Sequence, residues 1–216
     1  VPHRLRAWDR IFPLGDPPDY EPGPERSIAA MARHRGVTPA ALAYDLLMEK
    51  GGKTILYRPM TNYLNGNLDS VRDMLAHPNT LIGLGDGGAH VGIMCDATDM
   101  THTLTHWTRD RPAGRLFPVE WMVKRLTRDN AQAIGLHDRG RVAPGYKADL
   151  NIIDYGRLKL RAPEVVYDLP AGGRRLMQRA DGYVATIVSG TPIFREGQAT
   201  GALPGRLVRG PQKAAG

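Results

Sequence analysis

The sequence predicts an α/β region followed by a mainly β region, on two observations. Before Gly140, helix-forming segments alternate with short apolar runs, a pattern typical of parallel α/β folds. After Gly140, short strand-forming runs are separated by glycine and proline turns. We therefore expect two structural regions, residues 1–139 and 140–216, with a proline-rich, irregular lead-in over residues 1–26.

Two helices are expected after the lead-in. The first covers residues 27–34 and ends before Gly36, and the second is capped by Thr38 and ends at Gly51. The apolar face of the second helix comprises three leucines: Leu42, Leu46 and Leu47.

The rest of the α/β region continues the alternation. A short strand is expected over residues 53–57, a helix from Asn67 to Pro78, and a buried strand over residues 80–84. Pro118 opens a further helix, and a shorter one follows over residues 131–134. Their expected inward-facing residues are Leu68, Val71 and Leu75 in the helix from Asn67, and Val119, Met122, Val123 and Leu126 in the helix from Pro118.

The second region is expected to be built of strands. The runs at residues 149–155, 164–169, 183–188 and 192–195 have strand character, and Ser189-Gly190 forms a hairpin turn between the last two.

Composition narrows the class of protein. Of 216 residues, 42% are hydrophobic and 24% charged, which is globular, and no run of 18 apolar residues predicts a membrane span. The net charge of +7 is scattered along the chain rather than clustered with aromatic residues, which disfavours nucleic-acid binding. The single Cys95 fits a reducing, cytoplasmic setting. Because the chain begins at Val1, we expect a processed or truncated piece.

The motif GLGDGG at residues 83–88 has the letters of a dinucleotide-binding loop. Its continuation, AHVGI, is a poor helix start, and the carboxylate of Asp86 would repel a pyrophosphate. The alternatives are a turn aspartate and a catalytic carboxylate at the end of a buried strand, with glycines giving a substrate or metal close access.

Four segments carry a resemblance to a known family. LGDGGAH at residues 84–90 resembles the last-strand aspartate segment of metal-dependent amidohydrolases, and RGRVAPGYKADL at residues 139–150 resembles the signature with which their chains leave the barrel. DLPAGGRRL at residues 168–176 and TGALPGRL at residues 200–207 resemble the D-aminoacylase (N-acyl-D-amino-acid deacylase) branch.

The resemblance implies the late units of a (β/α)8 barrel followed by part of a C-terminal β-sandwich. It also implies hydrolysis of an amide C–N bond, with one or two divalent ions, usually zinc, activating water. Asp86 would exchange protons with the water and the leaving amine, and could also touch the metal.

One departure from the family pattern is large. The sequence contains no His-x-His pair, so the resemblance places the remaining metal ligands in an upstream barrel half, which is the expected partner of this chain. Alone, the chain is not expected to bind metal or to close a barrel. The sequence does not decide whether the protein forms a homo-oligomer. The other expected partner is a small-molecule amide substrate.

Other candidates for the site come from the residues themselves. His90 could face the pocket, Arg109 could bind a substrate carboxylate, and Tyr63 could line the pocket, although a surface ion pair with Asp110 is an equal alternative for Arg109. His102 and His106 have the spacing of a zinc pair but lack the glutamate of H-E-x-x-H, which favours a packing role.

Two alternative functions remain. One is a cyclic-amide hydrolase of the dihydropyrimidinase type, which an upstream bridging Lys would favour over the Cys or Glu of the deacylases. The other is a non-catalytic binding or assembly module, which would bind little zinc and release no amine.

Overall fold

The computed structural model describes residues 7–63, 65–83, 88–111 and 115–214. Within these ranges the helices are α1 (Ile28–Arg35), α2 (Pro39–Gly52), α3 (Asp69–Ala76), α4 (Asp99–Thr105), α5 (Val119–Lys124) and α6 (Asn130–Ala133). The strands are β1 (Phe12–Pro13), β2 (Leu56–Tyr57), β3 (Leu150–Ile153), β4 (Lys159–Leu160), β5 (Glu164–Leu169), β6 (Gly173–Met177), β7 (Ala180–Asp181), β8 (Tyr183–Val188), β9 (Thr191–Arg195) and β10 (Gln198–Ala199).

The chain divides into two compact units, each assembled from separated stretches. Unit 1 contains Val1–His77, His90–Cys95 and Arg161–Gln178, and unit 2 contains Pro78–Ala89, Asp96–Leu160 and Arg179–Gly216. Among the described elements, β1 and β2 lie before α3, and strands predominate after α6. The units, however, interleave along the chain, and a domain boundary at Gly140 stays a prediction.

The core of unit 1 lies between α1 and α2. Thr38 caps α2 as predicted, and Ser27, expected as the first residue of its helix, caps α1: each hydroxyl accepts a hydrogen bond of 3.2 Å from a backbone N–H three residues on. Gly36, with φ 66°, ends α1 in the left-handed conformation that glycine adopts without strain. The buried residues are Ile28, Ala32, Leu42, Ala43 and Leu46.

One residue of the predicted apolar face of α2 is on the wrong side. Leu42 and Leu46 are buried, but Leu47 is 44% exposed. One residue rotates a helix by about 100°, so Leu47 lies beyond the edge of the stripe that Leu42, Ala43 and Leu46 share.

Unit 1 also contains two small antiparallel strand pairs. β1 pairs with β2, so the predicted strand over residues 53–57 is limited to Leu56–Tyr57. β5 pairs with β6 in a hairpin, with Val165 opposite Leu176. Gln178, at the base of this hairpin, donates to the Arg161 carbonyl and to the Tyr20 hydroxyl, at 2.9 Å in each case.

The helices of unit 2 include two π-helical turns. α4 runs into a π-helix over His106–Asp110, and α5 runs into another over Arg125–Asp129. Met122, on α5, is completely buried, as is expected for a residue on its apolar face, whereas Val123 is 44% exposed. Val123 is the residue after Met122, a rotation of about 100° around the helix, so it lies outside the buried stripe.

The sheet of unit 2 has the order β10–β9–β8–β3, and every pair is antiparallel. Ser189 and Gly190 form the predicted turn between β8 and β9, both with positive φ. The Asp149 carboxylate accepts a 2.8 Å hydrogen bond from the Ser189 N–H and pairs with Lys147 at 3.0 Å. The segment at residues 139–150 therefore joins the helical part of unit 2 to this turn.

Within the described residues, no helix combines the length and the apolar character needed to cross a membrane.

Candidate functional site

The segment that precedes the glycine loop is held by side chains rather than by a neighbouring strand. Residues 80–83 do not form the predicted strand, and Leu84 lies outside the described residues. Ile82 is 5% exposed, and the side-chain amide of Asn130 donates a 2.6 Å hydrogen bond to its carbonyl. Arg125 donates to the carbonyl of Thr80 and, at 3.2 Å, to its hydroxyl. The apolar composition of residues 80–84 predicts a strand. Composition does not show that the backbone carbonyls of this segment accept hydrogen bonds from side chains.

Asp86, the candidate catalytic residue and metal ligand, lies outside the described residues. Its role therefore stays a prediction, and the structure contributes the geometry of the chain on either side of it.

His90 lies in a tight turn after the glycine loop. It is exposed and has φ 51°, and its carbonyl accepts hydrogen bonds from the N–H groups of Ile93 (2.9 Å) and Met94 (3.1 Å). The carbonyl of the next residue, Val91, accepts a 2.7 Å hydrogen bond from the Leu176 N–H. The β5–β6 hairpin thus contacts the His90 turn within unit 1. Sequence reasoning missed this contact because it joins residues 85 positions apart.

Arg109 is engaged by its own surroundings. Its guanidinium pairs with Asp110 (2.5 Å) and donates to the carbonyls of Tyr155 and Leu158, the latter at 2.6 Å. The hydrogen bond that Arg109 donates to Asp110 raises the pKa of Arg109, so the side chain stays charged. The ion pair weighed as an alternative is therefore present, and binding of a substrate carboxylate by Arg109 stays a prediction.

Tyr63 is 7% exposed, and its ring meets that of Phe12 edge-on at 6.0 Å. Its hydroxyl donates to the Pro22 carbonyl. Burial, followed by the nearby carboxylates of Glu21, Asp19 and Glu25, raises the pKa of this hydroxyl. The phenol is thus neutral at physiological pH and holds the lead-in segment, and its predicted pocket role is untested.

His102 and His106 lie side by side, with ring centroids 4.7 Å apart and planes inclined by 17°. The edge of the Trp107 ring packs against His106 at 4.8 Å. Across the described residues, no group of three or more His, Cys, Asp or Glu side chains lies close enough to hold a metal ion. The described side chains by themselves therefore do not fit a metal centre.

Comparison with known proteins identifies the family. Residues 11–194, more than half of the chain, match the model of the amidohydrolase family. The chain is 32% identical over 105 residues to a D-aminoacylase of Alcaligenes xylosoxydans xylosoxydans, covering 49% of this chain and 19% of the relative. It is also 32% identical over 111 residues to an allantoinase of Deinococcus radiodurans, covering 50% of this chain and 24% of the relative.

Solved structures of D-aminoacylase are also similar, at 26% identity and a TM-score of 0.47, covering 89% of this chain and 36% of theirs. One of them addresses the functional role of a binuclear metal centre in D-aminoacylase. The chain spans only about a quarter or less of the length of these two curated relatives. The match over residues 11–194 shows that this chain belongs to the amidohydrolase family.

Proposed function

We propose that this chain is the C-terminal portion of a metal-dependent amidohydrolase that deacylates N-acyl-D-amino acids. Its first region would supply late (β/α) units of the barrel, and the region after Gly140 would supply part of a β-sandwich. The observation that carries the proposal is the family match over residues 11–194. The similarity to a D-aminoacylase favours a linear amide as the substrate.

In this reaction water adds to the amide carbonyl, and the C–N bond then breaks to give a carboxylic acid and an amine. Asp86 accepts a proton from the attacking water and delivers it to the leaving nitrogen. A carboxylate suits both steps because it is anionic before the reaction and a weak acid after it.

A divalent ion such as zinc, when bound, supplies a water molecule of lowered pKa. Because the described residues do not assemble a set of three ligands, we assign the remaining ligands to an upstream part of the protein. This chain contributes the proton-transfer residue and the surfaces next to it.

Three side chains are proposed to contact the substrate. His90 is the best placed, since it is exposed on a tight turn four residues after Asp86. Arg109 can bind a carboxylate only by sharing a guanidinium that already serves Asp110 and two carbonyls. Tyr63 can act only through its ring, because its hydroxyl already donates a hydrogen bond to the Pro22 carbonyl.

The test is Asp86→Asn in the protein that contains this chain together with its upstream part. Removing the proton acceptor is expected to lower kcat by about 100-fold or more, with the fold intact. Amine release from N-acyl-D-amino acids gives the rate, and Asp45→Asn, an exposed carboxylate on α2, is the matched control. Near-normal turnover by Asp86→Asn would remove Asp86 from the mechanism.

A cyclic-amide substrate is the second candidate, because the allantoinase matches half of the chain at the same identity as the D-aminoacylase. Assaying the protein in parallel with N-acyl-D-amino acids and with allantoin distinguishes the two. Turnover of allantoin alone would replace the deacylase assignment and leave the proposed role of Asp86 unchanged.

A further inference from the structure

The motif DLPAGGRRL at residues 168–176 forms the turn and most of the second strand of the β5–β6 hairpin. Its turn places Ala171 and Gly172 at positive φ, 57° and 72°. Across the turn, the Arg175 guanidinium donates to both carboxylate oxygens of Asp168, at 2.7 and 2.6 Å. A bidentate pair fixes direction as well as distance, so it favours one arrangement of the two strands. The segment that resembles the D-aminoacylase branch is therefore a defined structural element.

The base of the hairpin is attached to the lead-in segment within unit 1. The side-chain amide of Gln178 donates hydrogen bonds of 2.9 Å to the Arg161 carbonyl and to the Tyr20 hydroxyl. The ring of Tyr20 meets that of Tyr57 edge-on, with centroids 5.4 Å apart. The Tyr57 hydroxyl also donates to the Tyr20 carbonyl, at 3.4 Å. Tyr20 is thus held at its ring and its backbone, and through Gln178 it fixes the base of the hairpin.

The outer edge of β6 contacts the His90 turn, residues 90–94. The Leu176 N–H donates a 2.7 Å hydrogen bond to the Val91 carbonyl. Leu176 lies opposite Val165, and residues directly opposite in an antiparallel pair exchange both backbone hydrogen bonds or neither. Because the Leu176 N–H is directed to Val91, it faces away from β5. The His90 turn therefore lies along the outer edge of the hairpin.

The conformation of the His90 turn depends on such contacts. His90 has φ 51°, which residues other than glycine seldom adopt and which persists only where the surroundings hold it. Its carbonyl accepts hydrogen bonds from the N–H groups of Ile93 and Met94. The turn belongs to unit 1, as the hairpin does, and it follows the predicted strand at residues 80–84. Strand pairing in a complete barrel therefore does not need the Val91 carbonyl.

We propose that the β5–β6 hairpin is a positioning element that holds the His90 turn, so that the His90 side chain is presented to the substrate. This inference rests on the proposed contact between His90 and the substrate. Leu176 and Gln178 act through the turn and do not touch the substrate themselves. Because His90 is proposed to bind rather than to transfer protons, a loosened turn is expected to raise KM more than it lowers kcat.

The main test is Leu176→Pro in the full-length protein. Proline lacks the N–H that binds Val91, and because this N–H faces away from β5, the strand pairing is kept. We expect KM for an N-acyl-D-amino acid to rise by about 3- to 10-fold and kcat to change by less than about twofold. The amides of Ile93 and Met94 should exchange faster with deuterium. Leu176→Ala is the matched control, because it shortens the side chain but keeps the N–H, and its exchange should stay at the wild-type rate.

His90→Ala completes a double-mutant cycle with Leu176→Pro. If the hairpin acts through His90, Leu176→Pro raises KM by less than about twofold once His90 is replaced. An undiminished rise in that background, or wild-type exchange at Ile93 and Met94 in Leu176→Pro, would overturn the proposal. If His90→Ala itself leaves KM unchanged while Leu176→Pro speeds exchange, the substrate contact of His90 is wrong and the hold of the hairpin on the turn is real.

Tyr20→Phe covers the case in which Leu176→Pro does not fold. It keeps the aromatic ring but removes the hydroxyl that Gln178 binds. Exchange at the same two amides of the His90 turn is expected to be about 2- to 5-fold faster than in Tyr167→Phe. Tyr167→Phe is the matched control, because Tyr167 is a β5 residue that is 70% exposed. Equal exchange in the two variants would count against the hairpin as a positioning element.

Discussion

Two arginines of unit 2 occupy closely similar settings. Arg109 and Arg125 each belong to a π-helical turn, and each pairs with an aspartate, Asp110 or Asp129. Each guanidinium lies over an aromatic ring, 5.2 Å from the centre of Tyr155 in one case and 5.5 Å from that of Trp121 in the other. Each also donates to backbone carbonyls of a distant segment.

The two arginines differ in burial and in the segment they hold. The Arg125 side chain is 9% exposed and the Arg109 side chain is 28% exposed. Arg109 holds the connection between β3 and β4, whereas Arg125 holds the chain that leads to Asp86. The same arrangement of guanidinium, aspartate and aromatic ring can therefore hold either a connection between strands or the chain next to a candidate site. Its burial determines how much the free energy of unfolding falls when the arginine is replaced.

The largest effect is expected from Arg125→Met. The substitution removes a nearly buried guanidinium, leaves the half-buried Thr80 carbonyl without this donor, and removes one partner of Asp129. The free energy of unfolding should fall by about 1.5–3 kcal/mol, the range for a hydrogen bond to a charged group. Urea denaturation measures it, and a loss below about 0.5 kcal/mol would contradict the assigned importance of burial.

An intermediate case is Arg139, whose side chain is 18% exposed and pairs with Asp138 at 2.9 Å and with Asp149 at 3.5 Å. The hydrogen bond from Arg139 lowers the pKa of Asp138 below its usual 3.8. Burial opposes a lowered pKa at Asp149, but the Ser189 N–H, Lys147 and Arg139 together outweigh it.

Because these carboxyl groups have lower pKa values folded than unfolded, they stabilise the fold above about pH 4. That stability is lost as the pH falls through their folded pKa values. Arg139→Gln should therefore cost about 1 kcal/mol at pH 7 and progressively less toward pH 2. Thermal unfolding at several pH values tests this, and a cost independent of pH would mean that Arg139 acts through packing alone.

The smallest effect is expected from Arg109→Met, at about 0.5–1 kcal/mol, because the side chains of Arg109 and its ion-pair partner Asp110 are 28% and 46% exposed. High salt should weaken the wild type more than the variant. If the cost equals that of Arg125→Met in the same denaturation experiment, exposure does not distinguish the two arginines.

Local features of the fold could be predicted from the sequence, since their causes are local. Ser27, Thr38 and Gly36 mark helix ends because each acts on backbone groups within a few residues. The turn at Ser189-Gly190 follows from the positive φ that such turns require.

Features that depend on distant partners could not be predicted. The run at residues 80–84 has the composition of a strand, but its carbonyls meet Arg125 and Asn130, more than forty residues later. The apolar spacing from Val119 onward gave no sign of the π-turn at Arg125, because one extra residue per turn leaves no mark on composition. For the site, Asp86 and His90 stay predictions from the sequence, which gives no sign of the side chains that bind the carbonyls of Thr80 and Ile82.

The hydrogen bond between Leu176 and Val91 has a consequence for how the protein is made. Unit 1 contains both the first 77 residues and the β5–β6 hairpin, within Arg161–Gln178. A ribosome must therefore synthesise the intervening residues of unit 2 before unit 1 can be completed. The early helices α1 and α2 can form at once from local contacts, but their unit waits for the hairpin, and a nascent chain halted before residue 161 carries an unfinished unit.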